Sequence, residues 1–124
     1  MSIKHWINAV VDKCFAASTA AGWWTDKDGN SLTLNPMCFS NKLCLVHSEI
    51  SEAMEGDRKD LMDDKLPHRK MAEVELADAL IRIFDYAGAY GYDLDGAVAE
   101  KRAFNAQRAD HKPENRVKEG GKAF

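Results

Sequence analysis

The sequence predicts an all-α protein: a four-helix bundle in one domain that assembles into an oligomer. Three observations carry this. Four stretches place apolar residues at helical spacing, no stretch alternates convincingly as a strand would, and the third helix is apolar on more than one face. At 124 residues the chain suits a single domain, 1–124, with one core, and 109–124 reads as an extended, polar C-terminal tail.

Ile3, Trp6, Ile7, Val10, Val11, Cys14 and Phe15 share a helical stripe, with Ser2 as the expected cap and Gly22 near the end. From Trp23 to Asn35 the chain is polar and reads as a loop. Its Asp26-Lys27-Asp28-Gly29-Asn30 start resembles a calcium loop. Ser31 at the sixth position and Met37 at the twelfth exclude an EF-hand.

Asn35-Pro36 is expected to open the second helix, which runs to Arg58 with Leu43, Val46, Ile50, Ala53 and Met54 on one stripe. The charged stretch 59–70 contains Pro67 and breaks it. The third helix is expected from His68 to Tyr90, stopped by Gly91. Its residues Val74, Leu76, Leu80, Ile81, Ile83 and Phe84 exceed one face, so contact with a second subunit is expected. Asp93 can cap the fourth helix, with Leu94, Ala97, Val98 and Phe104 expected inward.

A net charge of −3 gives no general attraction to a nucleic-acid polymer or an anionic membrane, so a bound polyanion needs a local cationic site. Cys14, Cys38 and Cys44 are an odd set without a C-x-x-C pair, and the expectation is reduced core cysteines, not a disulfide framework or zinc site. Without a long apolar run near the start or elsewhere, the expected compartment is cytoplasmic.

Glu49 and Glu52 are three residues apart on the second helix, and Glu75 and Asp78 three apart on the third. Each pair shares a helix face beside the apolar stripe. If the two helices pack antiparallel, four carboxylates converge at the core rim, where mutual repulsion of several kcal/mol requires a neutralising cation. Oxygen-only ligation favours Mg2+, with Mn2+ as a substitute. A di-iron centre needs Glu-x-x-His, and no glutamate here has a histidine three residues later.

Lys101, Asn105 and Arg108 line up along the fourth helix on the side that carries Leu94, Ala97 and Val98. Long cations on such a stripe need anionic partners, which can be the facing carboxylates or a bound phosphate chain. Trp23 and Trp24 stand where the first helix meets a loop. One can stack on a nucleobase, with one in the core and the other at a rim as the plainer expectation. His47 points away from Glu49 and suits a hydrogen bond better than a metal. Arg82 and Asp85 are expected to pair internally beside the site.

Glu49-x-x-Glu52 followed by Glu75-x-x-Asp78 resembles the metal motif of the MazG-like all-alpha nucleoside triphosphate pyrophosphohydrolases. The segments 47–53 and 73–79 are similar to that family's helices, and Lys101-x-x-x-Asn105-x-x-Arg108 to its phosphate-binding helix. The resemblance covers residues 40 to 112. It implies a magnesium-dependent homodimer or homotetramer that converts a (deoxy)nucleoside triphosphate to monophosphate and pyrophosphate. Glu49, Glu52, Glu75 and Asp78 would form the metal-holding catalytic centre, and Lys101, Asn105 and Arg108 would bind the phosphates. The contrasting expectation is a catalytically silent helical module that binds nucleotide or protein.

Overall fold

Gly91 shows how closely local chemistry sets the helix boundaries: it takes the left-handed conformation (φ 70°) and ends a helix at Tyr90. The computed structural model describes residues 5–118, 120 and 121. Its helices are α1 (Trp6–Ala20), α2 (Cys38–Arg58), α3 (Met71–Tyr90), α4 (Leu94–Gln107) and a single turn, α5 (Pro113–Arg116). Among the described residues there is no strand, only isolated bridges at Thr25–Ser31 and Met62–Lys70 within the loops. The class is all-α.

Two boundaries differ from the sequence expectation, and the expected cap of the first helix, Ser2, lies outside the described residues. In the described first turn of α1, Asp95 Oδ2 accepts from the Asn8 N–H at 2.8 Å. Asn35 caps a turn, not the helix: its Oδ1 accepts from the Met37 N–H at 2.9 Å, and α2 begins at Cys38. The third helix begins at Met71 and not at His68, because the preceding loop is tied up on itself. There the nearly buried Asp63 accepts from the N–H groups of Lys65 and Leu66, while its own N–H donates to the Arg69 carbonyl. Asp93 caps α4 as expected, accepting from the Gly96 N–H at 3.0 Å. Beyond Arg108, the polar tail carries a 3-10 turn (Ala109–His111) and α5.

Helix α3 is central and packs against both α1 and α2. Contacts between α2 and α3 climb one helix while descending the other: Gly56 lies on Met71, Glu52 beside Glu75, and Glu49 bonds to Arg82. The pair is therefore an antiparallel hairpin. Small residues allow the close approach, with Ala53 and Gly56 buried on α2 and Ala72, Ala79 and Ala87 buried on α3. Gly88 does the same toward α1, where a Cβ would sit 2.5 Å from the Phe15 Cβ.

Much of the expected core is exposed within one chain. Leu43, Ile50 and Met54 on α2, and Leu76, Leu80 and Ile81 on α3, are all at least 40% exposed. Val98 and Phe104, expected inward, are 41% and 59% exposed, because α4 packs on α1 and α5's neighbouring turn instead of closing over α2 and α3. The accessible surface is 9395 Å², against about 6,700 Å² for a compact monomer of 13.9 kDa. Cysteine burial is graded too: Cys38 is buried, Cys14 half-buried and Cys44 exposed, and all three are free. No described helix is long and apolar enough to cross a membrane.

Candidate metal centre and adjoining cleft

The antiparallel hairpin brings the two acid pairs to the same level. Glu49, Glu52 and Glu75 each offer a carboxylate oxygen, and these three atoms lie within 4.8 Å of one another. Asp78, one turn beyond Glu75, stands outside this trio but close enough to feel the charges of Glu49 and Glu52. The arrangement is electrostatically unfavourable for four full negative charges, and the side chains respond differently.

Glu75 carries most of the stress. Burial, then hydrogen bonding to Glu49 and Glu52, then their charge, push its carboxyl up to about 8. At neutral pH it holds a proton, while its Oε2 is buried with no hydrogen-bond partner. Burial also pushes Glu49 upward, but hydrogen bonds from Arg82 and Glu75 outweigh it and hold this group below its ordinary value. Asp78 is raised by burial and by the charge of Glu49, with Arg82 opposing. Three convergent carboxylate oxygens, on a cluster that also leaves Glu75 Oε2 buried and unpartnered, make a donor set that suits a hard divalent cation.

Beside the acids lies a cleft of about 890 Å³ between α1, α2 and α3. Lys13, Lys42, Glu49, Asp78, Arg82 and Trp24 are among the residues that line it. Trp24 is a structural wall, 4% exposed, with its Nε1–H donating to Asp85 Oδ1 at 2.8 Å and the rings of Phe15 and Tyr90 edge-on. Trp23 is 67% exposed at the rim. Lys42 joins the two: its Nζ donates to the Trp23 carbonyl at 3.1 Å and sits 4.3 Å from the Trp24 ring centre.

Several expectations need correction. Arg82 does not pair with Asp85; its Nε–H donates to Glu49 Oε1 at 2.8 Å, while Asp85 is engaged by Trp24. His47, expected to hydrogen-bond and not to ligate a metal, is exposed at the surface. Lys101, Asn105 and Arg108 do not line the cleft. Lys101 lies 4.9 Å from the Phe104 ring centre, Arg108 pairs with Asp110 at 2.7 Å, and Asn105 Oδ1 is buried without a partner. α4 follows α3 in the chain but packs on α1, which carries these three residues away from the cleft side of the α2–α3 hairpin.

The cleft cations Lys13 and Lys42 were not legible as site residues, although a helical wheel contains part of the signal. Lys42 precedes Glu49 by seven residues and Arg82 follows Asp78 by four, so both repeat the phase of the acids. Lys13 comes from α1, whose register against α3 only packing decides. Comparison with models of known protein families, with curated proteins and with solved structures finds no match.

Proposed function

We propose that this chain is a magnesium-dependent nucleotide pyrophosphohydrolase of the MazG-like type, acting on (d)NTPs to yield (d)NMP and pyrophosphate. The single observation that carries the reading is the convergence of Glu49, Glu52 and Glu75 within 4.8 Å, next to a cleft large enough for a nucleotide and bordered by cations. Glu49, Glu52 and Glu75 would hold Mg2+, with Asp78 completing the set on the cleft side; Mn2+ suits the same oxygens. The ions, when bound, draw charge from the triphosphate and make water acidic enough to attack phosphorus.

The remaining work falls to the chain's own groups. Lys13, Lys42 and Arg82 supply positive charge along the cleft for the phosphates, and the exposed Trp23 ring offers a stacking face for the base. Trp24 shapes the wall behind it. A glutamate of the trio accepts the water's proton. Lys101, Asn105 and Arg108 keep a phosphate-binding role in this reading only in an oligomer that presents them to another subunit's cleft. A homodimer or homotetramer is supported by the uncovered apolar faces of α2 and α3.

The test is pyrophosphate release from a panel of dNTPs and NTPs, with Mg2+ and then with EDTA. Release that requires Mg2+ and ranks the bases is expected. If no nucleotide yields pyrophosphate, the reading fails, and the silent nucleotide- or protein-binding module takes its place.

A further inference from the structure

Arg82 is the one cation of the cleft that is bonded to a residue of the carboxylate trio. Its Nε–H donates to Glu49 Oε1 at 2.8 Å, while its Nη groups donate to no described residue. The side chain is 42% exposed and lines the cleft, whereas that of Glu49 is 11% exposed. The ion pair therefore joins a nearly buried acid to a base that already faces the space a ligand would enter.

The same Glu49 carboxylate has two claimants. It contributes to the three-oxygen cluster with Glu52 and Glu75, and it neutralises Arg82. A divalent cation held by the trio would stand within a few Å of the guanidinium. Repulsion between a doubly charged ion and Arg at that range exceeds what a half-exposed salt bridge returns. The guanidinium then loses its acceptor and becomes a planar fork of N–H donors beside the cleft, a geometry that matches phosphate oxygens.

We propose that Arg82 is a two-position residue, bonded to Glu49 until a divalent cation takes that carboxylate, and then turned to the phosphate of a ligand in the cleft. This rests on the metal-site reading above and adds an order to it: cation binding prepares the anion site. Arg82 thus competes with the cation when no phosphate is present and cooperates with it when phosphate is. Lys13 and Lys42 lack this property, since Lys42 is held by the Trp23 carbonyl and neither bonds an acid of the trio.

The experiment is calorimetric titration of the full chain with Mn2+ alone, and then with inorganic pyrophosphate at saturating Mn2+. Arg82→Gln should bind Mn2+ alone about threefold to tenfold more tightly than the parent, since Glu49 no longer has to give up a partner. With Mn2+ present it should bind pyrophosphate about tenfold or more weakly. A purely structural Arg82 would weaken both or neither, so the opposite signs are diagnostic. Arg82→Lys, which keeps the charge without the fork, should move both quantities in the same directions by less, and it serves if the glutamine variant fails to fold. Unchanged or weaker Mn2+ binding by these variants, or undiminished pyrophosphate binding, overturns the proposal while leaving the metal centre intact. If the parent chain itself binds no Mn2+, the metal reading falls and this proposal falls with it.

Discussion

Asn8 and Asp95 cap each other's helices. Asp95 Oδ2 accepts from the Asn8 N–H at 2.8 Å in the first turn of α1, and Asn8 Oδ1 accepts from the Asp95 N–H at 3.2 Å in the first turn of α4. Asn8 Nδ2 also reaches Asp93 Oδ1 at 2.8 Å, and Asp93 itself caps α4. Two helix N-termini thus meet at one polar knot, where carboxylates suit the positive ends of both helix dipoles. An N–H of the first turn of α1 is thus satisfied by a residue 87 positions away.

Breaking this knot should cost more than an ordinary surface change. Asn8→Ala and Asp95→Ala are each expected to destabilise the chain by about 1–2 kcal/mol. The double variant should lose less than the sum, because the two substitutions remove the same bonds. Urea unfolding of the four proteins of this cycle measures it; strict additivity would show that the two caps act independently.

Glu75 makes stability depend on pH in an unusual direction for a carboxylate. Its folded-state value, about 8, lies above the unfolded value of 4.5, so the folded chain binds the proton more tightly. That contribution is fully present below pH 4.5 and is lost as pH rises through about 8. In EDTA the melting temperature should therefore fall between pH 6 and 9, and Glu75→Gln should flatten the slope in that window. An unchanged slope in the variant would assign the dependence to other groups.

Glu52→Gln and Asp78→Asn keep side-chain shape and remove a ligand charge. Both should abolish Mg2+-dependent turnover while preserving the helical circular dichroism spectrum. In EDTA, each should melt at or slightly above the parent temperature, since repulsion around Glu49 and Glu75 is relieved. Turnover near the parent level in both variants would remove these residues from the site.

Gly88→Ala is expected to destabilise by about 1–2 kcal/mol even though alanine is the better helix former. Its Cβ would meet the Phe15 Cβ at 2.5 Å. That neighbour is fixed to the α1 backbone and cannot swing away, so overpacking of about 1–3 kcal/mol outweighs about 1 kcal/mol of helix propensity. The urea midpoint decides it, and a stabilised variant would mean that α1 and α3 can move apart freely.

Leu76 and Leu80 are each 50% exposed on the same side of α3. The double substitution Leu76→Lys, Leu80→Lys should shift sedimentation velocity from an oligomer to a monomer, with little loss of helicity. A monomeric parent chain would leave the apolar faces of α2 and α3 without the self-association that we propose for them.

The sequence by itself determined what is local: helical class, the α3 stop at Gly91, the Asp93 cap, the end of α2 at Arg58, and the phase shared by Glu49 with Glu52 and by Glu75 with Asp78. Each follows from backbone geometry or from a period of 3.6 residues, which neighbouring positions specify completely. Only the tertiary structure decided which acids meet, that Arg82 belongs to Glu49 and Trp24 to Asp85, and that Lys13 and Lys42 border the cleft while Lys101, Asn105 and Arg108 do not. Those are matters of register and direction between helices. Small residues such as Gly56, Ala79 and Gly88 set how deeply α3 seats against its neighbours, and the polar knot at Asn8 sets where α4 departs. A helical wheel holds the angle of each side chain about its own axis but carries no information on the helix it will face.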